Sequence, residues 1–430
     1  MAAVQDLRIW KHSSLLRLTM LASCAALACS LPGLPAQLAN PGLRQEDRIA
    51  RRLAGVRDLE GATREARLRA LLDRLGIDAA SQTLVFSKTS FQNASIAPGR
   101  ARALYFDDRV HVGYVRGSDL VELMTLDATA RLRFYTYDLG AGVRADSPAT
   151  ARERLLARGD ECLVCHASSR TRSHPGFLVR SVEVSDKGHV MTDRKTHVTT
   201  PKSPFAERWG GWVVTGAPAS LEHMGNRAGD RLLDGAVNAA GHLEPTSDAV
   251  ALMVLEHQCA VFNAIARAKT LSEAALLRQR ASNRVGGEAA DFVGQATLRV
   301  LNDCADDVVA ELFFKDEARL PVPITERSAF ARAFAARGKR DGRGRSLRDF
   351  DLEQRLFRYP LSYLIDHEAL RALPLLVRER MHDRMDRVLT GRLSMRTWGI
   401  PRATRREILE VLEGTRGGLA AALGLPDRPR

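Results

Sequence analysis

Between residues 82 and 139, short apolar and aromatic runs alternate with charged or small-residue breaks. The runs are "QTLVFSKTS" (82–90), "ALYF" (103–106), "VHVGYV" (110–115), "LVELMTL" (120–126) and "LRFYTYDL" (132–139). Their β-branched and aromatic content, split by "DDR", "RGSD" and "DATA", predicts antiparallel strands in a meander. Ahead of them, residues 41–80 interleave charged residues with leucine and predict helix, with Gly76 near a stop. Behind them, "SPATARERLLARG" (147–159) places serine at the N-cap, proline at the first helical position and glycine at the end, again predicting helix. "GFLVRSVEVSDKGHVMTD" (176–193) predicts a hairpin turning at Asp186–Gly188, and "RWGGWVVTG" (208–216) a further strand. From 247 onward the pattern predicts helices over 247–270, 272–283, 288–300, 325–337, 349–358, 376–390 and 404–414. The basic, glycine-rich "ARGKRDGRGRSLRD" (336–349) predicts a mobile loop between two of them.

The expected fold class is therefore α+β: a helix and an antiparallel meander, then a central region that carries the "CLVCH" motif (162–166), then a mostly helical C-terminal half. No internal repeat is present. Four regions follow: a leader (1–39), a helix plus β-rich region (40–145), a central region (146–245) and a mainly helical region (246–430).

The leader changes the picture first. Arg8, Lys11 and Arg17 precede "LTMLASCAALACSLPGLPAQLA" (18–39), an apolar small-residue run cut short by Pro32 and Pro35. A basic flank, a short apolar core and small residues before a cleavage point make a secretory signal, and the prolines argue against a spanning helix. "ALA" (26–28) suits a signal peptidase, whereas "LASC" (21–24) suits lipid attachment at Cys24. Export to a periplasm follows, either as a free protein or with membrane attachment through a lipidated Cys24.

Beyond the leader four cysteines remain, Cys162, Cys165, Cys259 and Cys304, too few for a disulfide scaffold. Cys259 and Cys304 are either paired or buried thiols. The net charge is +13 (64 Lys+Arg against 51 Asp+Glu), but 56 of those cations are arginines scattered from end to end, often alternating with acids. That is a solvated-face pattern, and no nucleic-acid motif accompanies it.

"ECLVCHASSR" (161–170) carries the distinctive chemistry. In C-x-x-C-H, two thiols one helical turn apart can add across the porphyrin vinyl groups, and the next residue presents an imidazole to the iron. Cys162 and Cys165 are thus candidates for one covalent haem c, with His166 as proximal ligand. Zinc commonly needs a second close ligand pair, which is missing. A thioredoxin-like dithiol needs a βαβ setting, which is also missing, and leaves the histidine unexplained. For the distal position, Met224 and His223 in "EHMGN" (222–226) are the candidates by spacing, and an open iron is the alternative. His257 lies on the apolar stripe of the 247–270 helix, where a satisfied core histidine is the usual reading. In "SPFAERWGGWVVTG" (203–216), Trp209 and Trp212 either wall the haem or pack the core, and Arg208 is a candidate partner for a propionate.

The strings "VFSKTSFQ", "RALYFDDRVHVGYV", "CLVCHASSRT", "PGFLVRSV", "SPFAERWGGWVVTG", "HMGN", "SDAVALMVLEHQ" and "LFRYPLSYLI" together resemble a family of large exported bacterial c-type cytochrome-like proteins with a single C-x-x-C-H. The resemblance runs from about residue 83 to 415 and implies covalent haem on Cys162 and Cys165, iron ligation by His166, and no assigned reaction. Relatives carry an Asp-His pair ahead of the Ser-Pro-Phe stretch, where this chain has Asp193-Arg194 and a histidine at 197. A simple monohaem carrier needs about 80–120 residues, so the surplus chain implies a haem set in a larger body. The expected function is electron transfer with a redox partner protein. The alternatives are a peroxidase-like oxidoreductase and a haem-based gas or small-molecule sensor.

Overall fold

The computed structural model describes residues 48–426, apart from 54–58, 60, 141–154, 195, 230, 234–240 and 394–397. Residues 1–47, with the expected leader and Cys24, lie outside the described residues. The chain begins with helices α1 (Arg48–Leu53) and α2 (Arg64–Leu75). Thr63 caps α2 by accepting from the Ala66 N–H at 3.1 Å, and Gly76 closes it in the left-handed region.

Strands β1 (Thr83–Val85), β2 (Arg102–Phe106), β3 (Val110–Val115), β4 (Leu120–Leu126) and β5 (Leu132–Asp138) then form the meander that the apolar runs predict. Among the described residues they belong to a seven-stranded antiparallel sheet, in which these five lie side by side in chain order. Its sixth strand, β6 (Leu155–Arg158), replaces the C-terminal part of the helix expected over 147–159, of which residues 147–154 lie outside the described residues. The edge of β5 offers a full ladder to this segment, and Leu155 turns inward, so sheet pairing overrides the local helix signals.

The motif helix α3 (Asp160–His166) follows after Gly159. The hairpin appears with its turn at residues 186–188: a Val184–Val190 bridge leads into β7 (Arg180–Val182) paired with β8 (Thr196–Val198). Strand β9 (Trp212–Val213) joins the sheet beside β1.

The C-terminal half is helical. Helix α4 (Ala249–Gly286) is one rod where two helices were expected. No glycine or proline interrupts it near residue 271, and the Ser272 hydroxyl donates back to the Ala268 carbonyl at 2.6 Å within the helix. Its length and apolar composition would suit a membrane span, yet 89% of its apolar window is buried inside the fold, so it is a core helix. Then come α5 (Gln295–Leu312), α6 (Ala329–Ala336), α7 (Glu368–Arg371), α8 (Leu375–Thr390), α9 (Arg402–Arg416) and α10 (Gly418–Ala422).

The expected helix at 349–358 is absent. The Asp351 carboxylate accepts from the backbone N–H groups of Glu353 and Gln354 at 2.9 and 2.7 Å, and Phe350 pairs with Phe357 in a β-bridge. A side chain that satisfies its own backbone competes with helix. The basic loop 336–349 is tied down: Asp341 accepts from the Arg343 and Arg345 N–H groups, and Arg345 reaches Glu410 on α9 at 2.9 Å.

The sheet separates two apolar clusters. Leu68, Leu71, Leu72 and Leu75 of α2 pack with Val112, Tyr114, Val121 and Tyr137 from one face. The larger cluster centres on α4, α5, α8 and α9 and includes Phe106 and Trp212. All described residues fall within one compact unit, 42–430.

Candidate haem site

Strand register determines what the second sheet face presents. Phe106, His111, Met124, Phe134 and Arg158 are successive Cα partners across β2 to β6, so they share one face. Two residues along, Leu104, Gly113, Glu122 and Thr136 form the neighbouring row. A Cβ on Gly113 would stand 2.0 Å from the Arg102 Nη2 atom. The bare backbone therefore lets the Arg102 guanidinium cross β3 and meet the Glu122 carboxylate at 2.5 Å.

This face is the floor of a cavity of about 380 Å³, whose lining includes Cys162, Cys165 and His166. That volume lies within the range usual for cofactor sites, about 300–1,000 Å³. Apolar side chains Leu104, Phe134, Phe177, Val179, Trp212 and Leu255 contribute to its walls.

The His166 ring packs on Phe134 with centroids 5.1 Å apart, and its Nδ1 lies 2.8 Å from the Gly176 carbonyl oxygen. The carbonyl can only accept, so Nδ1 carries the proton and donates while Nε2 keeps a free lone pair. Burial lowers the imidazole's pKa, against the pull of the Gly176 carbonyl, which keeps the ring in the neutral form that binds metals. Gly176 is itself held, because its N–H donates to the His166 carbonyl at 2.8 Å. Next to it, the Asn263 amide of α4 brackets Phe177, accepting from its N–H at 2.6 Å and donating to its carbonyl at 3.0 Å.

Cys162 is half-buried and Cys165 exposed, both as free thiols. Burial, with Glu161 and Glu122 adding to it, pushes the Cys162 thiol up to about 11. A reactive dithiol needs the opposite shift. Among the described residues, no group of three or more His, Cys, Asp or Glu side chains has the arrangement to hold a metal ion by itself. Arg170 and Arg180 also line the cavity, and among the described residues neither has a carboxylate partner. Burial and the neighbouring Arg170 both lower Arg180's pKa, marking a local excess of positive charge.

The remaining residues singled out from the sequence divide. Trp212 lines the cavity and donates its indole N–H to the Arg180 carbonyl at 2.7 Å. Arg208 and Trp209 lie outside the lining: the Arg208 guanidinium meets Glu256 at 2.8 Å and donates to the carbonyls of Ser203 and Pro201, while the Trp209 indole N–H donates to the other Glu256 oxygen. This group is a buried polar cluster of the core, so Arg208 has no free face for a propionate. His223 and Met224 are outside the lining as well. His223 Nδ1 accepts from the Gly225 N–H, and the Met224 sulfur accepts from the Ser181 hydroxyl at 3.7 Å. His257 is buried, with Nε2 2.7 Å from the Ser362 hydroxyl and its ring stacked on Phe314. Cys259 and Cys304 are buried free thiols, and Cys259 reaches the cavity wall.

Several cavity residues were not found from sequence, among them Met124, Arg170, Arg180 and His111. His111 is 8% exposed, lines the cavity, and makes no hydrogen bond of normal geometry through either ring nitrogen. Its signal was a histidine in a run otherwise apolar on both faces, "VHVGYV". Compared with protein-family models, with curated proteins and with solved structures, the chain matches none.

Proposed function

We propose that the protein is an exported monohaem c-type cytochrome that transfers electrons, with haem joined covalently to Cys162 and Cys165. The observation that carries this reading is the proximal geometry. His166 offers a free Nε2, its Nδ1 is fixed by the Gly176 carbonyl, and it lines the same cavity as both thiols. The residues present fit a haem. Two cysteines one turn apart would take the vinyl groups, apolar walls would exclude water from the ring, and Arg170 and Arg180 would neutralise the propionates.

A bound c-type haem supplies a one-electron iron couple. The chain's own residues set the conditions for it. The hydrogen bond from His166 to Gly176 orients the imidazole and raises its basicity. His111 and Met124, Cα partners on β3 and β4, line the same cavity and would be the candidates for a second iron ligand. The motif helix leaves Cys165 and Val164 exposed, and there a redox partner protein would meet the site.

The test is expression with haem-maturation machinery, followed by intact mass and a reduced pyridine haemochrome spectrum. One added haem mass is expected in the parent chain and none in Cys162→Ala/Cys165→Ala. A colourless parent chain without added mass overturns the reading. Six-coordinate iron that resists carbon monoxide identifies a carrier, whereas iron that binds it directly identifies a sensor or an oxidoreductase.

A further inference from the structure

A second cavity, of about 220 Å³, opens where the β2–β3 turn meets the C-terminal half. Arg109, Arg337, Lys339, Arg348 and Arg416 line it, five cations from four separate stretches of chain. Facing them are two carboxylates, Asp108 and Asp366.

Those two are already shared. Asp366 Oδ2 lies 3.2 Å from both the Lys339 ammonium and Arg416 Nε. Asp108 pairs with Arg348 Nη2. Glu368, 3.7 Å from Arg109 Nε, is a third acid beside the cavity. Counting it, two positive charges are left over. Arg337 has no carboxylate partner among the described residues.

Arg348 supplies the sharper observation. It is 9% exposed, and its guanidinium lies 4.4 Å from the Phe334 ring centroid and 4.3 Å from that of Tyr363. These contacts hold the fork in place, yet its Nη1 is buried without a hydrogen-bond partner, as is the Oδ1 atom of Asp108, whose other oxygen pairs with Nη2. A buried charged donor without an acceptor is expensive, and a concave site around it has room for one. A single carboxylate would balance only half of the surplus charge. A phosphate dianion balances it and matches guanidinium geometry.

We propose that this cavity binds a phosphate group, free or borne on a small molecule, with Arg348 and Arg337 as its principal ligands. It is separate from the haem reading but close to that site. The His367 ring, which lines this cavity, packs on Phe262 at 5.1 Å, and Phe262 stands edge-on to His111 at 6.0 Å. The two cavities are therefore divided by a wall of three rings.

The test is calorimetric titration of the full chain with inorganic phosphate, and separately with glycerol phosphate as a monoester. Chloride at equal ionic strength and acetate serve as controls. One saturable site is expected for phosphate or the monoester and none for acetate, with the unfolding temperature rising as the site fills. Tighter binding of the monoester assigns an organic phosphate; equal or tighter binding of phosphate assigns the free ion. Arg348→Gln should weaken binding by a hundredfold or more. Arg337→Gln, on an exposed side chain that leaves the fold intact, should weaken it about tenfold. Heats no larger than the chloride control, or an Arg337→Gln protein that binds like its parent, would overturn the proposal.

Discussion

An imidazole taken out of water without a hydrogen bond carries a desolvation cost of about 1–3 kcal/mol, and a fold retains such a group where something else repays it. His111 has no hydrogen bond of normal geometry, the Gln258 side chain only weakly opposing the burial that pushes its pKa down to about 4, so the ring is neutral at pH 7. Neutral imidazole is a ligand for haem iron. Met124 lies opposite on the same sheet face, and Phe134, on which His166 packs, is the next partner in that row. In haem-loaded protein we expect His111→Ala to convert six-coordinate ferric iron to the five-coordinate or water-bound form and to open the ferrous iron to carbon monoxide. Met124→Leu should leave both spectra unchanged. The reverse pattern would make methionine the ligand. That Cys162, Cys165 and His166 share one cavity was legible because they lie within one short helix. The far side of the cavity was not, because no spacing rule relates a strand histidine to a helix about fifty residues later. Proximity along the sequence favoured His223 and Met224, whereas strand register puts His111 and Met124 in the cavity.

At the scale of elements, the question is how a seven-residue helix with an exposed side keeps its histidine aligned. Helix α3 has no side-chain cap of its own, and the segment after it is pinned from across the fold by Asn263 on α4. Asn263→Ala removes two hydrogen bonds to Phe177 and should cost about 1–3 kcal/mol by thermal unfolding. A purely structural loss would stop there. Because Phe177 adjoins the carbonyl that accepts from His166, the same variant should also weaken imidazole donation and move the haem reduction potential to more positive values. An unchanged potential in a folded Asn263→Ala protein would show that the loop holds His166 without α4. Apolar runs bounded by turns made the meander legible, since each strand's signal lies within its own few residues. Segment 155–158 and segment 349–358 were misread for opposite reasons. The first answers to a distant strand edge; the second answers to the Asp351 carboxylate beside it.

For the whole molecule, the long apolar helix α4 sets an acid limit. It buries His257 completely among Phe314, Phe357 and Tyr363, and burial alone pushes the ring's pKa down to about 3. An unfolded histidine titrates near 6.5. Between those values the unfolded chain holds a proton that the folded chain refuses, so stability rises with pH across the window. The contribution is therefore fully present above about pH 6.5 and is lost progressively as the pH falls toward 3. Its limit is on the order of 4–5 kcal/mol, a large fraction of the 5–15 kcal/mol by which a protein is typically stable. Urea midpoints should fall as the pH drops from 6.5 to 4. His257→Gln offers an amide to Ser362 but has no proton to bind in this range, so its midpoints should fall less steeply, by the slope of one proton. His367, held near 4 mainly by burial, adds the same sign and leaves a residual slope in that variant. Parallel lines for the two proteins would mean that His257 takes up its proton without unfolding. In that case the α4 core would have to admit water or a counter-ion beside a ring that is closed off here on every side.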